Sequence, residues 1–439
     1  MGNHRSAMIG QSVRGMRYGV CHLGYGFGKP RGVRWKSSMG NGVFEGLRDD
    51  LLRSESGDGE LNGQVDNVGL GLFLDMAGSD DCAMLDARSP GEFEQGHING
   101  AYNLPLLSND ERAAVGTCYK QVGRAAAIDL GLEIVQPKAQ MLAHQAVQFL
   151  EHSQGSSLAI YCARGGLRSN LLAQFLQGEL KSRGKLDDSA IVLHGGYKSF
   201  RNFALNCYQS SHNPRLVVLG GKTGSGKTSI LSHLHDLGEQ VIDLEQIAKH
   251  YGSAFGKIGW PEAQPTNEQF SNTIALTWRG LSCEKVVFIE DEGAHIGNCQ
   301  LPPELYALIR NSPFVYNICV PKSRRVQNLV DVYAGRPALS RDEAPMAWLQ
   351  DMVAATKRIG KRLGPTRTQL AISSLESGDY EQVANILIDY YDKTYERHLY
   401  KNRDRLNIVD ISMDDENLTY NAFTKQILEE TYKLVPRPP

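Results

Sequence analysis

Two short stretches of this chain have residue types and spacing suited to chemistry on anions. The first, Cys162-Ala163-Arg164-Gly165-Gly166-Leu167-Arg168-Ser169, opens on a nucleophile and returns a guanidinium six residues later. Gly165 and Gly166 let the backbone curl so that successive N–H groups aim at one point, and a helix starting near Ser169 would add the positive end of its dipole. Such a cradle favours the thiolate, the nucleophilic form of Cys162, and holds an oxyanion beside it. A small cysteine packed after a strand is the plainer reading. It leaves two arginines and two glycines in the next six positions without a purpose. Arg168 is expected to hold the anion and Arg164 to face outward to substrate.

The second stretch is Gly221-Lys222-Thr223-Gly224-Ser225-Gly226-Lys227-Thr228. A strand before it and a helix after it complete the P-loop pattern, in which backbone N–H groups cradle a diphosphate. Gly221, Gly224, Ser225 and Gly226 would form the cradle. Lys227 would reach the terminal phosphates, and the Thr228 hydroxyl could bind magnesium. Glu290 or Asp291, closing an apolar strand, is the candidate carboxylate on the metal side, with a solvated strand end as the bland alternative. A P-loop recognises phosphates rather than a base, so any diphosphate ester fits it, and nucleotide hydrolysis is only the default.

These loops need parallel sheets behind them. Short apolar runs at Ala83-Met84-Leu85-Asp86, Leu158-Ala159-Ile160-Tyr161 and Ala190-Ile191-Val192-Leu193 are each followed by a loop and a helical pattern, the signature of βα crossovers. A second αβ unit starts with the strand at Arg215-Leu216-Val217-Val218-Leu219-Gly220, continues through a helix over 229–237, and includes a strand at Lys285-Val286-Val287-Phe288-Ile289. Beyond about Pro321 the pattern is mainly helical: Trp348, Leu349, Met352, Val353, Ile359 and Leu363 recur at helical spacing, and a Tyr-rich stretch runs from Tyr380 to Tyr400. The expected division is a leader and linker over 1–65, a first domain over 66–209 and a second over 210–439.

With 439 residues the chain is too long for one ordinary core. It carries no apolar run near the ~18 residues that span a bilayer. The net charge of −2 hides an asymmetry, since residues 1–44 hold five Arg and two Lys with no acid. That composition reads as a chloroplast or mitochondrial transit peptide. A disordered basic arm, or an early start ahead of Met39, are the alternatives, and without targeting the chain is expected in the cytoplasm. The eight cysteines are scattered without a C-x-x-C pair, which disfavours a disulfide scaffold or a structural zinc site.

The cysteine loop and its flanks resemble the rhodanese domain. The matching residues are Asp86-Ala87-Arg88-Ser89-Pro90-Gly91-Glu92-Phe93, Gly96-His97-Ile98, Asn103-Leu104-Pro105 and Gly195-Gly196-Tyr197 before Arg201. The resemblance implies that Asp86, Arg88 and Glu92 are structural props and that the loop cysteine carries a persulfide. Cys162 to Arg168 is Cys-x5-Arg, one residue longer than the usual sulfurtransferase loop. That length fits a phosphate-sized tetrahedral anion and is shared with rhodanese-like phosphatases, although Tyr161 stands where those place a histidine.

Joined in this order, the two halves resemble the tRNA 2-selenouridine synthase family. Further carriers are Asn109–Gln121, Gly195-Gly196-Tyr197-Lys198, Gly252-Ser253-Ala254-Phe255-Gly256 and Glu290-Asp291-Glu292, with a fainter echo at Tyr390-Tyr391-Asp392. The likeness implies an α/β fold, a rhodanese-like parallel-sheet domain followed by a P-loop NTPase-like domain with a helical C-terminal region. It also implies a transferase acting on tRNA that carries 2-thiouridine at the wobble position. Geranyl diphosphate, held by the P-loop, first alkylates the sulfur; selenophosphate, made by a separate enzyme, then supplies selenium, which Cys162 carries as a selenopersulfide. No tightly bound cofactor is implied. Cys118, inside the family-like string, lacks an activating neighbourhood and reads as structural. Lys357, Arg358, Lys361, Arg362 and Arg367 are candidate tRNA contacts, with a solvated helix face as the alternative. A competing reading is a P-loop kinase or NTPase with a sulfurtransferase or phosphatase accessory domain.

Overall fold

The computed structural model describes residue 48 and residues 65–153, 155–182, 184, 190–210, 213–334, 344–401, 403, 407–415 and 418–435. The leader, and the linker but for residue 48 and Val65, lie outside these. The chain divides into two compact units, residues 1–200 and 201–439. Among the described residues no helix is long and apolar enough to cross a membrane.

The first unit holds β1 (Asp66–Val68), α1 (Leu70–Ala77), β2 (Cys82–Asp86), α2 (Pro90–Gln95), β3 (Tyr102–Asn103), α3 (Asn109–Gln121), α4 (Arg124–Val135), α5 (Ala139–Ser153), β4 (Ser157–Tyr161), α6 (Leu167–Ser182) and β5 (Ala190–Leu193). Helix α7 (Gly196–Asn206) follows. The strands form one sheet in the order β1-β5-β4-β2-β3, with every pairing parallel. Every residue of β2, β4 and β5 is buried. This explains their unbroken apolar runs, since a parallel sheet is covered on both faces. The three apolar runs expected to be strands are the three central ones, with ends within a residue.

β4 delivers Cys162, and α6 begins five residues later at Leu167. The turn between them is seated on the start of α7. Tyr197 N–H donates to the Cys162 carbonyl (2.8 Å) and Lys198 N–H to the Ala163 carbonyl (3.0 Å). The seat requires glycine: Gly196 sits at φ +57°, and a Cβ there would lie 2.3 Å from the Gly165 nitrogen and 2.4 Å from the Cys162 carbonyl oxygen. Gly196→Ala is therefore expected to destabilise this unit by roughly 2–4 kcal/mol, combining backbone strain with a clash against main chain. A urea titration measures it, and an unshifted midpoint would contradict the seat.

The second unit contains β6 (Arg215–Gly221), α8 (Lys227–Asp236), β7 (Gln240–Ile242), α9 (Leu244–Ala248), α10 (Asn267–Arg279), β8 (Val286–Glu290), the hairpin β9 (His295–Ile296) and β10 (Cys299–Gln300), α11 (Pro303–Arg310) and β11 (Val315–Cys319). After these come α12 (Lys322–Ala334), α13 (Ala344–Leu363), α14 (Pro365–Ser377), α15 (Tyr380–Tyr400), β12 (Ile408–Ser412) and α16 (Tyr420–Leu434). Its sheet is again fully parallel, in the order β12-β11-β6-β8-β7. The glycine loop leaves the carboxyl end of the central strand β6, where open α/β sheets bind ligands.

Among the described residues the helical expectation beyond Pro321 holds with one exception. Residues 408–412 form β12, an edge strand paired in parallel with β11. Five residues with two polar positions carry too little apolar pattern to stand out from a loop. Met352 and Ile359 of α13 are buried, with Trp348, Leu349 and Val353 packed beside them against Phe255, Ile258 and α15. The Tyr-rich stretch is the single helix α15.

Candidate functional site

The cysteine turn is shaped by where its carbonyls go. Those of Cys162 and Ala163 accept from α7. Those of Gly165 and Gly166 accept from the Asn170 side chain at 3.2 and 3.1 Å, and Gly166 also accepts from Asn170 N–H and the Ser169 hydroxyl. In a trans peptide the next N–H points opposite to the carbonyl. The N–H groups of Ala163, Arg164, Gly166 and Leu167 therefore turn to the inner side of the loop, a nest for an anion at the N-terminus of α6. Cys162 is 3% exposed, and its Sγ lies 3.2 Å from the Ser169 hydroxyl. The single proton of that hydroxyl goes to the Gly166 carbonyl or, when the hydroxyl turns, to a thiolate at Cys162.

Arg164 is exposed. Arg168 is held by a carboxylate: its Nη1 and Nη2 donate to the two oxygens of Glu92 at 2.9 and 3.4 Å. Glu92 also accepts from the Ser89 N–H and hydroxyl, closing a capping box on α2. It is thus the strut that fixes Arg168 beside the loop. Asp86 and Arg88 form a buried ion pair at 2.6 Å, with the Arg88 guanidinium 3.7 Å from the Tyr197 ring centroid. This stack ties the end of β2 to the helix that seats the turn. Cys118 is half-buried on α3.

Burial alone would raise the Glu92 carboxyl, but the hydrogen bonds and charge of Arg168 outweigh it and hold it at about 2. A depressed carboxyl contributes stability that is complete above its unfolded value and is lost as pH falls from there through about 2. Discounted for the partial exposure of the pair, the contribution is on the order of 1–2 kcal/mol. Melting temperatures of the wild type and Glu92→Gln should therefore differ near neutral pH and converge as the pH approaches 2. A gap that stays constant across that window would show that the pair is not linked to folding.

In the glycine loop the same device recurs with different anchors. The carbonyls of Thr223, Gly224 and Ser225 accept from Arg325 Nε (2.9 Å), Asn328 Nδ2 (2.7 Å) and the Tyr420 hydroxyl (3.2 Å). Those side chains come from α12 and α16. Their grip turns the N–H groups of Gly224 and Gly226 to the ligand side. Gly226 is needed for close approach: a Cβ there would sit 2.4 Å from the Tyr420 ring. Arg325 is in turn forked onto Asp392 at 3.0 and 2.5 Å. Lys227 Nζ folds back onto the Gly221 carbonyl at 3.0 Å. The Ser225 Oγ is buried with no hydrogen-bond partner among the described residues, which suits an incoming phosphate oxygen.

The two candidate carboxylates separate. Asp291 is occupied by Arg403 (2.6 and 2.8 Å) and Arg310 (3.1 Å), with His398 at 3.4 Å. Burial would raise it, yet His398 and Arg403 bring it down to about 2. Asp291 is a structural knot. Glu290 is fully buried; one of its oxygens accepts from Glu245 N–H at 3.0 Å, and the other has no partner among the described residues. Glu245, absent from the sequence-based expectation, lies 3.5 Å from the Thr228 hydroxyl, and burial together with the Glu292 charge pushes it up to about 8. A point beside Gly252 lies within 3.1 Å of oxygens of both Glu245 and Glu292. Among the described residues, no group of three or more His, Cys, Asp or Glu is arranged to hold a metal ion by itself.

Lys357, Arg358, Lys361 and Arg362 are exposed on α13, and Arg367 is exposed on α14. Arg358 also donates to the Ala254 carbonyl at 3.0 Å, inside the Gly252–Gly256 loop. Sequence reasoning missed Arg325, Asn328, Tyr420 and Glu245. They lie 17 to 195 residues from their partners in the glycine loop, and the only hint was the echo at Tyr390-Tyr391-Asp392, whose Asp392 holds Arg325.

With these geometries established, comparison with known proteins becomes decisive. Residues 71–203 match the rhodanese-like domain family, and residues 214–422 match the tRNA 2-selenouridine synthase AAA domain. A tRNA 2-selenouridine synthase of Pseudomonas putida (strain GB-1) is 35% identical over 347 residues, which is 74% of this chain and 88% of that protein. The chain belongs to the tRNA 2-selenouridine synthase family. Other members behave alike: the protein of that name from Psychromonas ingrahamii is 34% identical over 74% of this chain and 89% of its own length. The one from Hahella chejuensis is 34% identical over 79% and 91%. Both loops fall inside the matched domains, one in each.

Proposed function

We propose that this enzyme converts the wobble 2-thiouridine of tRNA to 2-selenouridine in two steps, one at each loop. In the first, the thiocarbonyl sulfur attacks C1 of geranyl diphosphate. The C1–O bond breaks, diphosphate stays in the cradle of Gly224, Gly226 and Lys227, and the base loses its N3 proton. In the second, selenium from selenophosphate adds at C2, the P–Se bond being cleaved by water to give phosphate; N3 regains its proton and the geranylthiolate leaves. Alkylation turns a poor leaving group into a good one, so the order is chemically required.

The observation that carries this reading is the pairing, in one member of this family, of a cysteine nest with a phosphate cradle. Lys227, the Gly226 N–H and the orphaned Ser225 hydroxyl support a diphosphate ligand. Magnesium arriving with it would be held by Thr228 and Glu245, with phosphate oxygens completing the shell. Glu290 rather than Asp291 would sit on that side. The exposed cations of α13 and Arg367 would meet tRNA phosphates and make binding salt-sensitive. An enzyme that makes selenophosphate must supply the donor.

The test is nucleoside mass spectrometry of thiolated tRNA after incubation. Geranyl diphosphate alone should yield S-geranyl-2-thiouridine, and both substrates together should yield 2-selenouridine. Finding neither product, with nucleotide turnover that depends on Lys227, would favour the kinase or NTPase alternative.

A further inference from the structure

The cysteine loop poses a question of electron balance. In a sulfurtransferase, the thiolate attacks the outer sulfur of a donor such as thiosulfate, and sulfite leaves with the electron pair. Selenophosphate is different, because its selenium is already at the level of selenide. Attack of a thiolate on that selenium would leave phosphite, so a selenopersulfide with phosphate as by-product needs an added two-electron oxidant. Attack on phosphorus needs none.

We infer that Cys162 attacks the phosphorus of selenophosphate, becoming an S-phosphocysteine and releasing selenide as the nucleophile that displaces the geranylthiolate. This deepens the two-step reading and rests on it. The S–P bond forms as the P–Se bond breaks, and selenium leaves with the electron pair as hydrogen selenide anion, a weak base. That anion adds at C2 of the alkylated base; its proton passes to N3 and the geranylthiolate leaves. Water then cleaves the S–P bond, giving phosphate and the free thiol.

The loop is built for a phosphoryl group. Its Cys-x5-Arg span is one residue longer than that of sulfurtransferases. The carbonyls of Cys162, Ala163, Gly165 and Gly166 are taken up by α7, Asn170 and Ser169, so by peptide planarity the N–H groups of Ala163, Arg164, Gly166 and Leu167 point away from those anchors, which leaves them for the oxygens of a transferring phosphoryl. Arg168 is fixed beside it by Glu92 through two hydrogen bonds. The Ser169 hydroxyl, 3.2 Å from Sγ, is placed to steady the thiolate before attack and again when sulfur leaves during hydrolysis. Gly165 lets the turn close on its seat, since a Cβ there would lie 2.5 Å from the Leu193 carbonyl oxygen.

The experiment uses the full chain and selenophosphate labelled separately in phosphorus and in selenium, without tRNA. After rapid denaturation at neutral pH, phosphorus label should be bound to the wild type and absent from Cys162→Ala, with hydrogen selenide released about a thousandfold faster by the wild type. A melting temperature matching the wild type checks that the variant folds. In a second arm, Cys162→Ala given hydrogen selenide and geranylated tRNA should form selenouridine, which it cannot do from selenophosphate. Selenium label on Cys162 without phosphorus, phosphite as by-product, selenide release independent of Cys162, or failure of the selenide rescue would each overturn the inference. Failure of the two-step reading shows separately: the phosphorus label forms, but no geranylated nucleoside appears from any thiolated tRNA.

Discussion

Cys162→Ala protein supplied with thiolated tRNA, geranyl diphosphate and selenophosphate is expected to accumulate S-geranyl-2-thiouridine and to form selenouridine at a rate lower by about a thousandfold or more. The magnitude is that of removing a covalent nucleophile while leaving its oxyanion-binding loop in place. The substitution removes one sulfur from a small side chain, and the anchors of the turn are all elsewhere. The Cys162 and Ala163 carbonyls are held by main-chain N–H groups of α7, and the glycine carbonyls by Asn170. The loss is therefore chemical rather than structural. Time courses of both nucleosides measure it, and selenouridine formed at near wild-type rate would remove Cys162 from the reaction.

Lys227→Ala is expected to do the reverse. The first step should fall by about a hundredfold to a thousandfold, the usual effect of deleting one charge that stabilises a departing oxyanion. Lys227 is the cation at the mouth of the cradle, folded onto the Gly221 carbonyl and free to turn to a diphosphate. Its loss leaves the loop backbone held, because Arg325, Asn328 and Tyr420 grip the carbonyls from behind. Given tRNA that is already geranylated, the variant should still make selenouridine. Equal loss with both tRNAs would mean that the glycine loop serves both steps, or neither.

Much of this was legible in the sequence, for local reasons. A strand that ends in a nucleophile or a glycine run is a contiguous signal, so both loops, their strands and their following helices could be read directly. Glu92 could be named as a prop, because it sits in a contiguous string, but its partner could not. Arg168 lies 76 residues away, and nothing local couples the two. The grip on the glycine loop was invisible for the same reason: Arg325, Asn328 and Tyr420 meet only through the β11–α12 crossover and the return along β12. Choosing between Glu290 and Asp291 needed Arg310 and Arg403, cations that burial alone makes decisive. The fold class, by contrast, follows from alternation of apolar runs and helices, which needs no partner to be seen.

The central claim is that the two loops act in sequence on one uridine, and sequential complementation tests it most directly. Thiolated tRNA is treated with Cys162→Ala protein and geranyl diphosphate, repurified, and passed to Lys227→Ala protein with selenophosphate. The account predicts that selenouridine appears at near wild-type rate only after both treatments in that order, the S-geranyl-2-thiouridine made in the first being consumed in the second as selenouridine forms. Selenouridine formed at near wild-type rate by either variant given both substrates, or none after the ordered pair although each variant is folded, would contradict it.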